Sequence, residues 1–428
     1  MGSSNLKMWR SRSIFVGDSR IPGTNFKNVY HGLMGSSNIS CSIAKFTPLA
    51  IESERGVDAI SGQIMETSWR DYLAHQAAVQ ASDGTMAFGV SSSQNTALGN
   101  DAARLYSCAH LAVARCSGAQ SSDFLQNQLT CDLQAIEKDQ WTMGAYCTPK
   151  GRVLSILRIV PDGADYLLIG EISLLANMLD RLRIYVMRAD VTFTFENDTA
   201  VLGLSGVGFD SPIGPVPALS NFPEQSLHEL IPGYVLRERG DPAYGLILVP
   251  TDTAIRLWED TSSDVMRCDT DQWILLEIRA GNPRVTDKTS ERFIPQTLNL
   301  DLISAVSFNK GCYPGQEIVA RVRYRSRPKH RMIRVGVSHR VAVQVGDPVF
   351  LPNKEQRVGE VVAQAHTMDH TQGEMLISMA VAALDAPHYH LGNETSPLTR
   401  LSLPYDLTDA EPTKPGQHQH RSTAGQSV

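Results

Sequence analysis

The sequence lacks several features that would place it quickly. No run approaches the roughly 18 uninterrupted apolar residues of a membrane-spanning helix, so no membrane partner is expected. The best candidate, Tyr166 to Leu179, is broken by Glu171 and Asn177 and reads as a strand followed by an amphipathic helix. There is no CxxC pair. Cys108, Cys116, Cys131 and Cys147 fit no zinc or iron–sulfur ligand spacing, and no metal site is expected. The seven cysteines are odd in number and scattered, with no secretory signal, which argues against a disulfide framework and for a reducing compartment. A phosphate-binding P-loop, a nucleophile-elbow serine and an HExxH helix are all missing. Charge is scarce as well: 20% of residues, 39 basic against 45 acidic, net -6. That balance argues against a protein coated in nucleic acid and leaves room for a local basic patch.

What is present suits two or three folded domains: 428 residues, 42% of them hydrophobic. The two ends differ from the body. The first fifty residues carry Lys7, Arg10, Arg12, Arg20, Lys27 and Lys45 against the single acid Asp18, with frequent serine. That composition is shared by organelle transit peptides and by a stretch read through from an upstream start codon. Helical periodicity begins after Met65, with Trp69, Leu73 and Ala77, so Met65 is the expected start and residues 1–64 are expected to be disordered or a non-native extension. Residues 407–428 are rich in Pro, Gly, Gln and Ser and read as a disordered tail.

Between the ends, the pattern predicts mixed α+β structure without internal repeats. Ala119 to Asn127 reads as a helix, Arg152 to Pro161 and Asp165 to Gly170 as a hairpin turning at Pro161-Asp162-Gly163, and Ile172 to Val186 as an amphipathic helix. Val191 to Glu196 alternates as a strand, residues 206–224 read as a loop, and Trp273 to Ala280 fits either strand or helix. After Arg327-Pro328 come short alternating segments, Met332–Val337, Pro348–Leu351, Gly359–Ala365, Gly373–Met379 and Leu398–Leu403. Their spacing predicts a small all-β barrel over 326–406, following an α+β region over 65–325.

Chemistry concentrates in Ser307 to Arg321. Lys310-Gly311-Cys312 sets a thiol beside an ammonium in a flexible loop, and Pro314-Gly315 turns the chain directly afterwards. A neighbouring cation favours thiolate, so the pattern fits a reactive cysteine; a buried loop cysteine fits it too. Arg321, Arg323, Arg325, Arg327, Lys329 and Arg331 then alternate, which on an extended segment puts all six on one face. Such a stripe suits phosphates or a chain of carboxylates, as in RNA or a polyglutamylated ligand, and equally a solvated edge.

Lys310-Gly-Cys-Tyr-Pro-Gly-Gln-Glu317 resembles the K-G-C-Y-x-G-Q-E signature of the YgfZ family, folate-binding relatives of the glycine-cleavage T-protein. Further segments resemble that family over roughly Ser68 to Asp406: Phe124 to Asp132 (FLQNQLTCD), the hairpin Lys150-Gly151-Arg152, Trp273 with Glu277 to Gly281, and Phe293 to Gln296 with Asn299-Leu300.

The resemblance implies a ring-like multidomain α+β fold with a C-terminal small β-barrel and a central channel for tetrahydrofolate. It implies Cys312 and Lys310 as reacting residues, and folate contacts from Trp273, His110, Leu111, Arg279, Gln316, Glu317 and Arg321. It implies an accessory protein that supports iron–sulfur cluster assembly or repair and iron–sulfur-dependent tRNA-modifying enzymes, and a further contact with tRNA through the Arg321–Arg331 stripe. A bacterial cytoplasm follows from the bacterial look of Gln316 to Arg321, with the mitochondrial matrix as the alternative. Departures narrow the chemistry. The T-protein's paired Asp is Ser155 and Ile156 here, the acid of its E-A-G is Arg279, and the family's G-G before V-S-F is Ser304-Ala305. A folate-dependent aminomethyltransferase or demethylase is therefore the second expectation, and a non-enzymatic RNA- or protein-binding module the third.

Overall fold

In the computed structural model the described residues are 68–76, 79–80, 85–87, 102–230, 232–259, 265–338, 343–352, 356–368, 371–386, 388–392 and 397–407. The expectations for residues 1–64 and for the tail from residue 408 lie outside them. Helix α1 (Trp69–His75) precedes strands β1 (Ala103–Ser107) and β2 (Leu111–Ser117), then α2 (Ser121–Gln126) and β3 (Thr142–Cys147). Next come β4 (Val153–Asp162), β5 (Asp165–Glu171), α3 (Ile172–Val186) and β6 (Thr192–Phe195). The chain continues through β7 (Thr199–Ser205), β8 (Leu227–Glu229), β9 (Tyr234–Arg237), β10 (Tyr244–Pro250), α4 (Thr251–Glu259), β11 (Val265–Cys268) and α5 (Thr270–Ala280). It ends with α6 (Gln316–Arg325), β12 (His330–Val337), β13 (Pro348–Phe350), β14 (Arg357–His366), β15 (Gly373–Ala380), β16 (His390–Leu391) and β17 (Thr399–Leu401).

These strands form three large sheets. The first runs β8-β9-β10-β7-β1-β11, the second β3-β4-β5-β2-β6 and the third β16-β13-β14-β15-β12-β17. The chain leaves the first sheet after β1, turns through the buried Cys108, Ala109 and His110, and enters the second at β2. It returns between β6 and β7, so the two sheets are interleaved in sequence.

Alternation along each strand gives every sheet two apolar faces. In β10, Leu246 and Leu248 face a core common to all three sheets, while Ile247 and Val249 face a separate core under α1 and α4. In β5, Leu167 and Ile169 face the common core and Leu168 packs under α3 with Leu175, Met178, Leu179 and Leu182. In β12 and β15, Met332 and Leu376 reach the common core, and Ile333, Val335, Met375 and Ile377 fill the third sheet's own interior.

The third sheet is antiparallel throughout. Where a small barrel is expected, a six-stranded sheet stands whose two end strands, β16 and β17, are joined beside their ends by the antiparallel bridge between Tyr389 and Leu398. It is clamped to the preceding segment: the Asn299 side chain donates to the Met332 carbonyl at 2.8 Å, and buried Arg331 pairs with Asp301 at 2.7 Å. Ser304 stands at φ 63, the left-handed region that favours glycine.

Gly203, in the middle of β7, shows how tightly the common core is built. A Cβ there would lie 2.8 Å from Trp273 Cζ3 and 2.9 Å from Tyr106 Cβ, so the indole rests directly on the strand backbone. Gly203→Ala is expected to destabilise the protein by about 1–3 kcal/mol in urea unfolding through overpacking. An unchanged midpoint would show that the indole is free to shift.

Candidate functional site

The signature loop is held by contacts that need glycine. Gly315 stands at φ +83 as the N-cap of α6, and a Cβ there would lie 2.5 Å from the Thr148 carbonyl oxygen and 2.6 Å from Gly151 Cα. Gly151 turns at φ +69, so the Lys-Gly-Arg hairpin and the signature meet backbone to backbone. Gln316 Nε2 donates to the Gly311 carbonyl at 3.2 Å and closes the loop on itself.

Lys310 fastens the other side. Its ammonium donates to the carbonyls of Gln126, Leu129 and Cys131, the middle one at 2.9 Å, and lies 5.5 Å from the centroid of the Tyr313 ring. An ammonium has three donors and all three are taken. Lys310, expected beside Cys312 as a reacting residue, thus spends its charge on fixing the loop. Desolvation holds its pKa below the ordinary lysine value. Thr130 adds a second tie, its hydroxyl donating to the Ala305 carbonyl at 2.7 Å and its own carbonyl accepting from Ser307 N–H.

Cys312 is the one exposed cysteine among the described residues. The others are buried, and burial pushes the thiols of Cys116, Cys131, Cys147 and Cys268 up to about 12. Those four are protonated and inert near neutral pH.

The arginine stripe is corrected. Residues 316–325 are helical, so Arg321, Arg323 and Arg325 do not share an extended face. Arg321 pairs with Glu317 at 2.8 Å, Arg323 lies 5.4 Å from the Phe308 ring centroid, and Arg331 is buried on Asp301. Arg327 and Lys329 flank Pro328 in the connection between helix and strand.

A second constellation lies in the common core. Arg158 of β4 ion-pairs with Glu238, just after β9, and with Glu277 of α5, all three being buried. Arg284 pairs with Glu171 at the end of β5, the Nη2–Oε2 distance being 3.0 Å. α5 ends at Gly281, left-handed at φ 71, and this turn carries Asn282 onto the Tyr244 hydroxyl at 2.8 Å. Burial, and then the Glu277 charge, raise the Glu238 pKa against the pull of Arg158; its Oε2 has no hydrogen-bond partner. His110 is fully buried with both ring nitrogens unpartnered. Burial, followed by the Arg284, Arg158 and Arg70 guanidiniums, holds its pKa well below the usual value, so the ring is neutral. Trp273 is 0% exposed, edge-on to Tyr106 and Tyr244 at 5.9 and 5.2 Å between centroids, with Nε1 unpartnered. Where a channel is expected beside Trp273, these side chains are packed together.

Leu111 opens β2 within the common core, adjacent to His110 in the chain. Ile156 leans on that core, whereas Ser155 alternates to the side of Leu157 and Ile159, so neither supplies a carboxylate to the centre. Gln316, Glu317 and Arg321 spend their hydrogen bonds on their own helix and loop. Arg279 pairs with Glu374 at 2.8 Å and lines a cleft of about 640 Å³ with Arg104, Tyr106, Gln272 and Met368. Tyr106 thus has a place in both settings: it packs on Trp273 and walls the cleft.

Sequence reasoning does not reach Arg158, Glu171, Glu238, Glu277 or Arg284. The available signal is a charge inside an apolar run: Arg158 in LSILRIV, Glu171 after YLLIG and Glu277 in WILLEI. Buried charges need partners, so such residues mark a shared polar interior.

Comparison with known proteins agrees with this architecture. No protein-family model matches the chain. The fold is that of the glycine-cleavage aminomethyltransferases. It superposes on the crystal structure of glycine cleavage system aminomethyltransferase T from Bartonella henselae with a TM-score of 0.61 and 16% identity, covering 79% of this chain and 98% of that one. The tRNA-modifying protein YgfZ of Yersinia enterocolitica is 30% identical over 309 residues, 70% of this chain and 91% of the relative. The protein of that name from Pectobacterium carotovorum is 30% identical across 70% of this chain and 90% of its own length. The chain belongs to the YgfZ family. Among its described residues no helix is long and apolar enough to cross a membrane.

The neutral His110 gives a pH signature. Its folded pKa lies below the ordinary 6.5, so on acidification the unfolded chain takes up a proton that the folded one resists. Its contribution is complete above about 6.5 and is lost as pH falls, at up to about 1.4 kcal/mol per pH unit. Urea unfolding between pH 7 and pH 5 is expected to show a shallower loss in His110→Phe than in wild type (about pH-unit resolution suffices). Equal slopes would contradict the buried, neutral assignment.

Proposed function

We propose that the protein is a tetrahydrofolate-binding accessory factor of tRNA modification. In this reading it supports the assembly or repair of iron–sulfur clusters in the modifying enzymes, with Cys312 as its reacting thiol. Membership of a family whose relatives are named tRNA-modifying proteins supports the tRNA link. The observation that carries the folate reading is the set of unpartnered buried polar atoms in the core: His110 Nδ1 and Nε2, Trp273 Nε1 and Glu238 Oε2.

These atoms fit a pterin, a flat heterocycle with donors and acceptors along its edge. Glu238 and His110 would hold that edge and Trp273 would meet its face. The indole is covered by Tyr106, Tyr244 and the Gly203 backbone, so admission requires movement of the Tyr106 wall, reached from the 640 Å³ cleft. A cleft of that volume suits a ligand of this size, and Arg279 on its lining would face carboxylates of the folate tail. When bound, tetrahydrofolate supplies a carrier for one-carbon units. The protein's own residues bind and orient it, and the dry interior excludes water.

Cys312 is solvent-accessible on a loop fixed at both ends, as a thiol that meets sulfur, iron or another protein must be. An aminomethyltransferase reading is disfavoured because Ser155 and Ile156, which the resemblance sets against the T-protein's paired Asp, carry no carboxylate.

Calorimetric titration of tetrahydrofolate is expected to show micromolar binding to the full chain, weakened about tenfold, or 1.4 kcal/mol, by Glu238→Gln and by Trp273→Phe. Cys312→Ser is expected to bind folate normally and to fail in restoring tRNA modification to cells lacking the protein. Unaltered folate affinity in both core variants, or full activity of Cys312→Ser in cells, would overturn the corresponding half of the reading.

A further inference from the structure

A separate cleft of about 520 Å³ opens where the C-terminal end of α6 meets β14 and the 292–297 segment. Five permanent cations line it, Arg152, Arg292, Arg327, Lys329 and Arg357, against the single carboxylate of Glu360. Glu360 is shared by Arg292, at 2.7 Å, and by Arg357. Arg152 donates to the Arg292 carbonyl at 2.7 Å and remains exposed. Arg327 and Lys329 are exposed, and their side chains have no ion-pair or hydrogen-bond partner among the described residues. Burial and the neighbouring Arg357 and Lys329 charges lower the pKa of His330 on the same lining, which agrees with a positive local field. All this occurs in a chain of net charge -6.

Helix α6 ends at Arg325, and Arg327 and Lys329, on either side of the buried Pro328, both line the cleft. Guanidinium groups pair bidentately with phosphate oxygens, and lysine adds a mobile point charge. At the opposite end of α6 stands the Cys312 loop, about 15 Å away along a ten-residue helix. Five cations along one cleft against a single carboxylate suit the repeating phosphates of a nucleic-acid backbone better than a short chain of carboxylates.

We infer that this cleft seats phosphodiester groups of an RNA and so brings that RNA alongside Cys312. The inference rests on the tRNA-modification reading and deepens it by naming the surface. It is tested by fluorescence anisotropy of a labelled tRNA transcript with the full chain, across about 50 to 200 mM salt. The double variant Arg327→Glu/Lys329→Glu is expected to bind at least tenfold more weakly, with the salt slope reduced by about 2, one per cation. Arg327→Gln/Lys329→Gln should fall between, and Arg256→Glu on α4 should bind as wild type does. Tetrahydrofolate calorimetry on the same variants is expected to be unchanged, which separates failure of this surface from failure of the folate reading. Absence of tRNA binding by wild type, equal binding by the double variant, or binding of a pentaglutamate peptide in place of tRNA would each overturn the assignment.

Discussion

The ammonium of Lys310, sunk among the carbonyls of Gln126, Leu129 and Cys131, is the contact on which the arrangement of the signature loop depends. Hydrogen bonds from a charged donor are worth about 1.5–3 kcal/mol each, and removing the cation would leave three carbonyls to find water in a half-buried place. With the ammonium seated, Gly315 can rest on Gly151, Gln316 can close on Gly311, and Cys312 is held out to solvent. The motif therefore reads as a mount for a thiol. Its lysine, glycines and glutamine shape the loop, and the cysteine is what the loop presents.

The common core makes a different kind of demand. Three sheets converge on it, and each contributes apolar side chains by strand alternation. Into this interior the chain also places Arg158 with two carboxylates and Arg284 with one. Buried pairs of this kind add little net stability over apolar replacements, and breaking one is expensive. Beside them, His110, Trp273 and Glu238 carry buried polar atoms without a hydrogen-bond partner, the atoms on which the proposed folate site rests. Thiol loop and charged core are built by different segments, yet α5 and the segment after it link them, because Phe293 and Gln296 pair with Val153 and Val319 on the way to the loop.

Local periodicity made part of this legible in advance. The helix at Ile172–Val186 and the hairpin of β4 and β5 follow from side chains three or four, or two, apart, so no distant partner is needed to read them. The strands after Arg327 follow for the same reason. The arginine alternation misled because Gly315 and Pro328 bracket a helix, and a helix does not put Arg321, Arg323 and Arg325 on the one face that a strand would. The partners of Lys310 lie 179 to 184 residues away, beyond any local pattern. Arg158 and Glu277 are 119 apart, and neither announces the other.

Hydrogen exchange on Lys310→Met tests the central claim most directly, since it reports each backbone amide separately. If the ammonium is the latch, amides of residues 305–317 and 126–132 lose protection at least tenfold while those of β4, β5, β14 and β15 keep theirs. Unchanged protection in the two segments would show that the loop holds its shape without Lys310 and would contradict the account.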